Sequence, residues 1–486
     1  MNHTLRKNIL FYGTVTILTI LLVFLHFHKL GVESVKSWDE SIYGVNGLEM
    51  LKTGEYIVNT YGYEPDFFNL KPVLWPQIIM LGFKAFGRNM IGLRVFSSLF
   101  MIITAASCTF FAYNNYGRKS ALFVLLCFAA NRHMIIYHCG RSGDADSLFV
   151  LLCTGAFLAL SDTKKGVRRL YICALCFSFA FLTKSFHAGV IAAVAIMFIF
   201  SSGEYRKVHF RDIAICILIS VLPVFCWAGL RYSKDGAAFF RTMFSYDLIG
   251  SVSGPLEGHD GNLFFYIKNL LIRSPMVLAC ILIILPVLMR YPKRFCRNKT
   301  RYALLLSVLL PFVMFSIART KLNWYVYPCF PPLIVLAADC MEELLHFGNR
   351  RLARMTVGLA VALCLVASAF TFRTICEIKP QDKVLISIQD ILNKSGEYNG
   401  EILYQHYVDP ETQLMHKKWR PSALFTFELN STLRPRNGNA DEWKKDAKAL
   451  LFISRRELNK LSHYRLRAYS GDYCIIEHMP TELKLQ

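Results

Sequence analysis

The run Ile9–Leu30, ILFYGTVTILTILLVFLHFHKL, decides the fold. Between MNHTLRK and Lys29 it holds no charged residue. Read as a helix it is long enough to cross a hydrocarbon layer of about 30 Å. It is too long for the apolar core of a signal peptide and lacks a small-residue cleavage site. It is therefore read as a first membrane span, with Arg6 and Lys7 on the cytoplasmic side. Working outward, a polar stretch at 31–70 comes next, poor in basic residues. Apolar segments then recur near 72–87, 91–113, 119–131, 133–141, 143–160, 169–183, 186–201, 212–230, 270–289, 302–318, 325–345 and 354–372. The expectation is a polytopic α-helical membrane protein of about 13 transmembrane helices. Several segments fall short of the roughly 20 residues of a simple span and read as tilted, broken or enclosed by the bundle.

Composition agrees. The chain of 486 residues is 54% hydrophobic and 18% charged. Its mean hydropathy is +0.35. That excludes a disordered chain, a secreted disulfide scaffold and an ordinary soluble globule. The net charge is +21, and the tail from Thr374 onward, with 17 basic and 15 acidic residues, holds +2 of it. The remainder lies between apolar spans, as the positive-inside rule requires, and not on a nucleic-acid-binding face. Counting spans places Lys164–Arg169, Arg206–Arg211, Arg290–Arg301 and Arg350–Arg354 inside. It places 31–70, 231–268, Arg319–Trp324 and the tail outside, in an integral plasma (inner) membrane protein.

The domains expected are 1–373, a transmembrane domain with outer loops 31–70 and 231–268, and 374–486, a small extracytoplasmic α/β domain. In the tail, Val384–Ile388, Ile402–Tyr404, Ala449–Ile453 and Asp472–Glu477 read as strands. Asp441–Lys448 and Arg456–Leu461 read as helices. Cys376 and Cys474 would share the oxidising side, where a disulfide can form. Most of the 15 cysteines lie in apolar runs and behave as small hydrophobes. Cys173 and Cys176 form a CxxC inside a span, read as apolar packing. No P-loop occurs, which weighs against an ATP-driven pump.

Ionisable groups at the outer ends of spans carry the candidate chemistry, because such groups are costly there. Asp39, with Glu40, opens a helical stretch through Leu51. It either caps that helix or serves as a general base that takes a proton from a hydroxyl. Lys71 precedes Pro72; it is a snorkelling lysine or a point charge on phosphate. Arg141, Asp144 and Asp146 form either a structural charge network or part of a site. Lys184 interrupts two apolar half-spans. His259 and Asp260 lie in the second outer loop, ahead of Tyr266. The stretch Arg319–Pro332 holds Lys321 and Tyr325 among aromatics and prolines. It is an aromatic belt with cationic anchors, or a phosphate site at headgroup depth. Outer carboxylates beside outer cations suit a reaction on a lipid-linked anionic donor. The cations would neutralise the leaving phosphate and a carboxylate would activate the acceptor.

These motifs resemble the C-superfamily integral-membrane glycosyltransferases, in the branch of the lipid A aminoarabinose transferase and the dolichyl-phosphate-mannose protein mannosyltransferases. The resemblance covers about residues 30–345. WDESIYGVNGLEMLKTGEYIV (38–58) is similar to that family's acidic first-loop motif. NLKPVLWPQIIMLGFKAFG (69–87) is similar to its lysine–proline segment. RSGDADSLFVLL (141–152) and FLTKSFHAG (181–189) follow in the family's order, and TKLNWYVYPCFPPL (320–333) resembles its late K-L-x-x-Y-x-x-P segment. The resemblance implies thirteen spans, an extracytoplasmic active site and inverting transfer from a polyprenyl-phosphate sugar to a lipid, glycan or protein acceptor. It makes Asp39 the catalytic carboxylate with Glu40 beside it. Lys71, Lys321 and Tyr325, with Arg141, would hold the donor phosphate, and Asp144, Asp146, Lys184 and His259 would be substrate or structural contacts.

One position departs from this pattern. Leu70 stands where close relatives carry an acidic residue, read there as a metal contact together with a loop histidine. His259 alone makes a poor divalent site, so no metal or other cofactor is expected; the Asp39–Glu40 pair or Asp144 are the remaining oxygen donors. The alternative from another class is a transporter or flippase of a lipid-linked or anionic solute. It predicts pseudo-symmetric halves, which the sequence lacks. A non-catalytic subunit of the same fold would tolerate loss of Asp39 and Lys71, and both are present.

Overall fold

A computed structural model describes residues 3–250, 261–347, 350–394, 398, 400–406 and 420–479. The chain forms two compact units, one of 1–28 with 97–377 and one of 29–96 with 378–486. The tail thus resumes the second unit at Ile378, and residues 29–96 belong to that unit as well.

The first unit is a helical membrane bundle. Among the described residues, seven helices are long and apolar enough to cross a membrane: Leu5–Phe27, Met90–Tyr116, Arg168–Ser201, Phe210–Asp235, Lys299–Ile317, Asn323–His346 and Arg350–Cys376. The protein is an integral membrane protein. Shorter apolar helices include Asp146–Ser161 and Pro275–Arg290, so length and composition alone do not reach the thirteen spans expected. Pro223, Pro286 and Pro311 sit inside helices, where neighbouring helices can satisfy the freed carbonyls. The stretch Arg168–Ser201 is broken by a 3₁₀ turn at Ser185–Ala188, and Ser185 takes a positive φ of 57°. Buried charges here are paired or hydrogen-bonded to carbonyls, as a low-dielectric interior demands. Arg301 donates to Asp339 at 2.5 Å and also to Glu343, joining the Lys299–Ile317 helix to Phe330–Phe347.

The second unit is built on the helix Asp39–Thr53, whose residues from Glu40 to Met50 are all buried. Gly54 ends it in the left-handed conformation, φ 74°, donating its N–H to the Met50 carbonyl at 3.0 Å. The helix Leu74–Phe86 packs against it. That segment was expected to be the second span. Its 13 residues reach about 20 Å, short of a roughly 30 Å hydrocarbon layer. Close packing here depends on missing side chains. A Cβ on Gly82 would lie 2.1 Å from the Gly92 carbonyl oxygen. Gly82→Ala is therefore expected to destabilise this unit by about 3 kcal/mol, the upper range for overpacking. Gly358→Ala, in a helix with open space around the Cβ, is expected to be neutral or mildly stabilising. Thermal midpoints of the two purified variants check the contrast.

The tail carries a five-stranded mixed sheet. Its order is Arg434–Pro435, Ile402–His406, Leu450–Ser454, Tyr473–His478, Tyr464–Ser470; the first two pairings are parallel and the last two antiparallel. Leu403 lies opposite Leu450 and Phe452 opposite Ile475. Trp443, Leu451, Ile453, Cys474 and Ile476 form the core of one face. The α/β reading holds, with one strand corrected. Val384–Ile388 lies in the helix Lys383–Lys394, because the buried set Val384, Leu385, Ile388 and Ile391 follows the helical period and not alternation. Cys376 and Cys474, for which a disulfide was one possibility, are both in the thiol form, and Cys474 is buried in the sheet core.

Candidate functional site

The site residues divide between the two units. In the second, Asp39 is the first residue of its helix, where the positive end of the dipole favours a carboxylate. It is half-buried and has no hydrogen bond or ion pair among the described residues of its unit. Trp38 before it takes the strained φ of 73°. Glu40 is different. It is 1% exposed and forks onto Arg94, with Nε–Oε1 at 2.6 Å and Nη2–Oε2 at 2.9 Å. The Lys36 N–H adds a third bond at 2.8 Å. Burial pushes the Glu40 carboxyl up, but the Arg94 charge and hydrogen bonds outweigh it and hold the group below the usual carboxylate range. Glu40 is thus a committed ion-pair partner of Arg94.

Lys71 is half-buried at the end of a turn fixed by polar side chains. Asp66 accepts from the N–H groups of Phe68 and Asn69, Asn69 donates to Asn46 at 2.7 Å, and Asn59 donates to the Lys71 carbonyl at 3.0 Å. Asn46 belongs to the Asp39–Thr53 helix, so helix and turn are locked together. Leu70 is buried and apolar, and offers no ligand atom at the position where an acid would bind metal.

Glu49 of the same helix forms a buried carboxyl pair with Glu428 of the helix Pro421–Asn430. Glu49 accepts from the Tyr63 N–H at 3.1 Å, and Glu428, fully buried, meets Lys52 at 3.4 Å. Burial raises both carboxyls, and for Glu428 the neighbouring Glu49 charge raises it further, with Lys52 opposing. The folded pair therefore holds protons that the unfolded chain releases. Its stabilisation is full below the ordinary glutamate value and declines as pH rises above it. The difference in thermal midpoint between the wild type and Glu428→Gln is expected to fall from pH 5 towards pH 8, because the amide stays neutral at every pH. A scan of midpoint against pH for both proteins checks it.

In the first unit, Arg141 is 2% exposed and donates to the carbonyls of Leu25 and His26, both at 3.1 Å. Asp144, also buried, accepts from Ser142 and lies 3.4 Å from Nδ1 of His138. The His138 ring stacks on Trp324 at 3.4 Å, and its φ is 53°. Asp146 pairs with Lys184 at 2.5 Å. The Lys184 ammonium lies 5.6 Å over the Tyr325 ring, which meets His187 edge-on. Asp146, Lys184 and Tyr325 are thus brought together. Lys321 is buried and donates to the carbonyls of Phe315, Ser316 and Ala318, closing the end of the Lys299–Ile317 helix. His259 and Asp260 lie outside the described residues.

Sequence reasoning missed Arg94, His138 and Trp324. Arg94 carried a readable signal, a lone cation inside an apolar run. The stacking and positive φ of His138 carried none.

A family profile described as dolichyl-phosphate-mannose-protein mannosyltransferase matches residues 70–227. An undecaprenyl phosphate-alpha-4-amino-4-deoxy-L-arabinose arabinosyl transferase of Aeromonas hydrophila is 26% identical over 376 residues, 73% of this chain and 66% of that protein. The Pseudomonas aeruginosa enzyme of the same name is 27% identical over 372 residues, 72% of this chain and 64% of its own. The chain thus spans just under two thirds of the length of the curated relatives it matches. The crystal structure of ArnT from Cupriavidus metallidurans bound to undecaprenyl phosphate superposes with a TM-score of 0.74 at 15% identity, covering 96% of this chain and 98% of that one. The oligosaccharyltransferase of Archaeoglobus fulgidus gives 0.57 at 10% identity, over 93% of this chain and 70% of that one. In sequence this chain resembles the undecaprenyl phosphate-aminoarabinose arabinosyl transferases, and in fold it resembles the C-type integral-membrane glycosyltransferases.

Proposed function

We propose that the protein is an inverting glycosyltransferase that moves a monosaccharide from a polyprenyl-phosphate donor to a hydroxyl of a lipid, cell-envelope glycan or protein. The reaction takes place at the outer face of the inner membrane, where the loops 31–70 and 231–268 and the tail from 374 lie. Asp39 removes the proton of the acceptor hydroxyl. The oxygen attacks the anomeric carbon from the side opposite the phosphate. The carbon–oxygen bond to phosphate breaks, and polyprenyl phosphate leaves with the electron pair. Lys71 and the Tyr325 hydroxyl stabilise the charge gained by the departing phosphate. Lys321 and Arg141, whose donors go to carbonyls, add positive field; Asp144, Asp146 and Lys184 organise the residues around Tyr325. No step is routed through a metal.

The aminoarabinose transferase likeness supports this reading. The observation in this chain that carries it is the contrast between two adjacent acids: Glu40 is wholly committed to Arg94, and Asp39 remains available at a helix N-terminus. The test is donor turnover by purified protein in nanodiscs, given a panel of radiolabelled polyprenyl-phosphate sugars. Release of free polyprenyl phosphate by the wild type and not by Asp39→Asn supports the assignment and names the sugar. Labelled lipid crossing a proteoliposome bilayer, with no donor turned over, replaces it with the transporter.

A further inference from the structure

Arg94 is 0% exposed, and every one of its five N–H donors has an acceptor in one short segment. Nε and Nη2 hold the two oxygens of Glu40. Nη1 donates to the carbonyls of Leu30 at 3.0 Å and Glu33 at 2.9 Å, and Nη2 also to Ser34 at 3.1 Å. That segment, 30–40, is the connection that delivers the chain to Asp39. It contains Trp38, whose backbone conformation is unfavourable for a bulky residue and persists only where its surroundings over-determine it. Glu40 closes the same loop by accepting the Lys36 N–H. A planar fork with fixed donors suits this task, and a lysine, with one flexible ammonium, does not reproduce it.

We infer that Arg94 is a positioning residue for the transfer reaction, acting through Glu40 and three loop carbonyls to fix Asp39 in its working orientation. This rests on the reading of Asp39 as the base. It also changes the role expected of Glu40, from catalytic partner to the tie between Arg94 and the helix. A displacement of about 1 Å in a reacting group lowers turnover by up to roughly 10²-fold without weakening substrate binding. Arg94 therefore affects kcat and leaves KM for the donor in place.

The test uses the full-length protein in nanodiscs and four variants: Arg94→Lys, Glu40→Gln, Asp39→Asn and the double variant Asp39→Asn/Arg94→Lys. Arg94→Lys keeps the charge beside Glu40 and loses the fork. The expected result is a fall in kcat of about 10- to 100-fold per folded molecule with KM unchanged. The double variant is expected to retain the residual turnover of Asp39→Asn alone, because a residue that acts only through Asp39 has nothing left to act on. Where Arg94→Lys does not reach the wild-type folded fraction, Glu40→Gln carries the same expectation. Wild-type kcat per folded molecule in Arg94→Lys or Glu40→Gln overturns the proposal, as does an undiminished Arg94→Lys effect in the Asp39→Asn background. If Asp39→Asn itself turns over normally, the reading of Asp39 falls and takes this inference with it; if Asp39→Asn is dead and Arg94→Lys is normal, only the inference about Arg94 falls.

Discussion

Replacing Asp39 by asparagine is expected to lower turnover by about 10²- to 10⁴-fold, the usual contribution of a positioned general base, with the fold retained. Asparagine has nearly the same shape, so the packing around the first turn persists. Two properties change. The amide cannot take a proton from the acceptor hydroxyl, and the negative charge at the helix N-terminus is lost. The second effect amounts to about 0.3–1 kcal/mol of stability, a small shift in thermal midpoint that is separable from a loss of several powers of ten in rate. The measurement is release of free polyprenyl phosphate per folded molecule, with midpoints recorded beside it. Turnover near the wild-type rate would remove Asp39 from the mechanism, and Glu40 could not replace it, since both of its oxygens are bound to Arg94 and it is buried.

The sequence disclosed the membrane class because an uncharged apolar run of roughly 20 residues matches the thickness of a bilayer and little else. The helices Met90–Tyr116, Phe210–Asp235 and Arg350–Cys376 fall where such runs lie. Hydropathy alone did not settle length: Leu74–Phe86 is apolar, yet its 13 residues are fewer than a simple span needs, and it packs on the Asp39–Thr53 helix with Leu81 and Phe86 exposed. The sequence misled where a five-residue window was too short to separate two periods, as at Val384–Ile388. For the site, residue types were legible and their commitments were not. Arg141 read as part of a charge network or of a site, and Lys321 as an interface anchor or a phosphate contact, but the donors of both go to backbone carbonyls, Arg141 to Leu25 and His26 and Lys321 to the end of its neighbouring helix. Arg94 read as part of a span because its counter-ion, Glu40, is 54 residues away. Such pairings arise from tertiary folding and leave no local pattern.

Lys71 is the second position where a large effect is expected. The donor is a phosphodiester carrying one negative charge, and the departing polyprenyl phosphate gains a second as the sugar–oxygen bond breaks. A cation beside that oxygen therefore interacts more strongly with the transition state than with the bound donor, and such differential binding raises kcat. Removing one donor of this kind usually costs about 10²- to 10³-fold in turnover. Lys71→Met preserves the apolar stem and deletes only the charge. It is expected to lower kcat by that amount and to raise KM for the donor by less, since the ground state keeps a weaker version of the same attraction. The Asn59 and Asp66 side chains hold the turn through its backbone, so the turn survives the substitution. Lys71→Arg restores a positive charge from a bulkier head and is expected to recover part of the rate. Steady-state kinetics over a range of donor concentrations checks both variants. A rise in KM with kcat unchanged would make Lys71 a binding residue with no share in the chemical step. If neither parameter moves, the leaving phosphate is held without Lys71, by Tyr325 and the remaining cations.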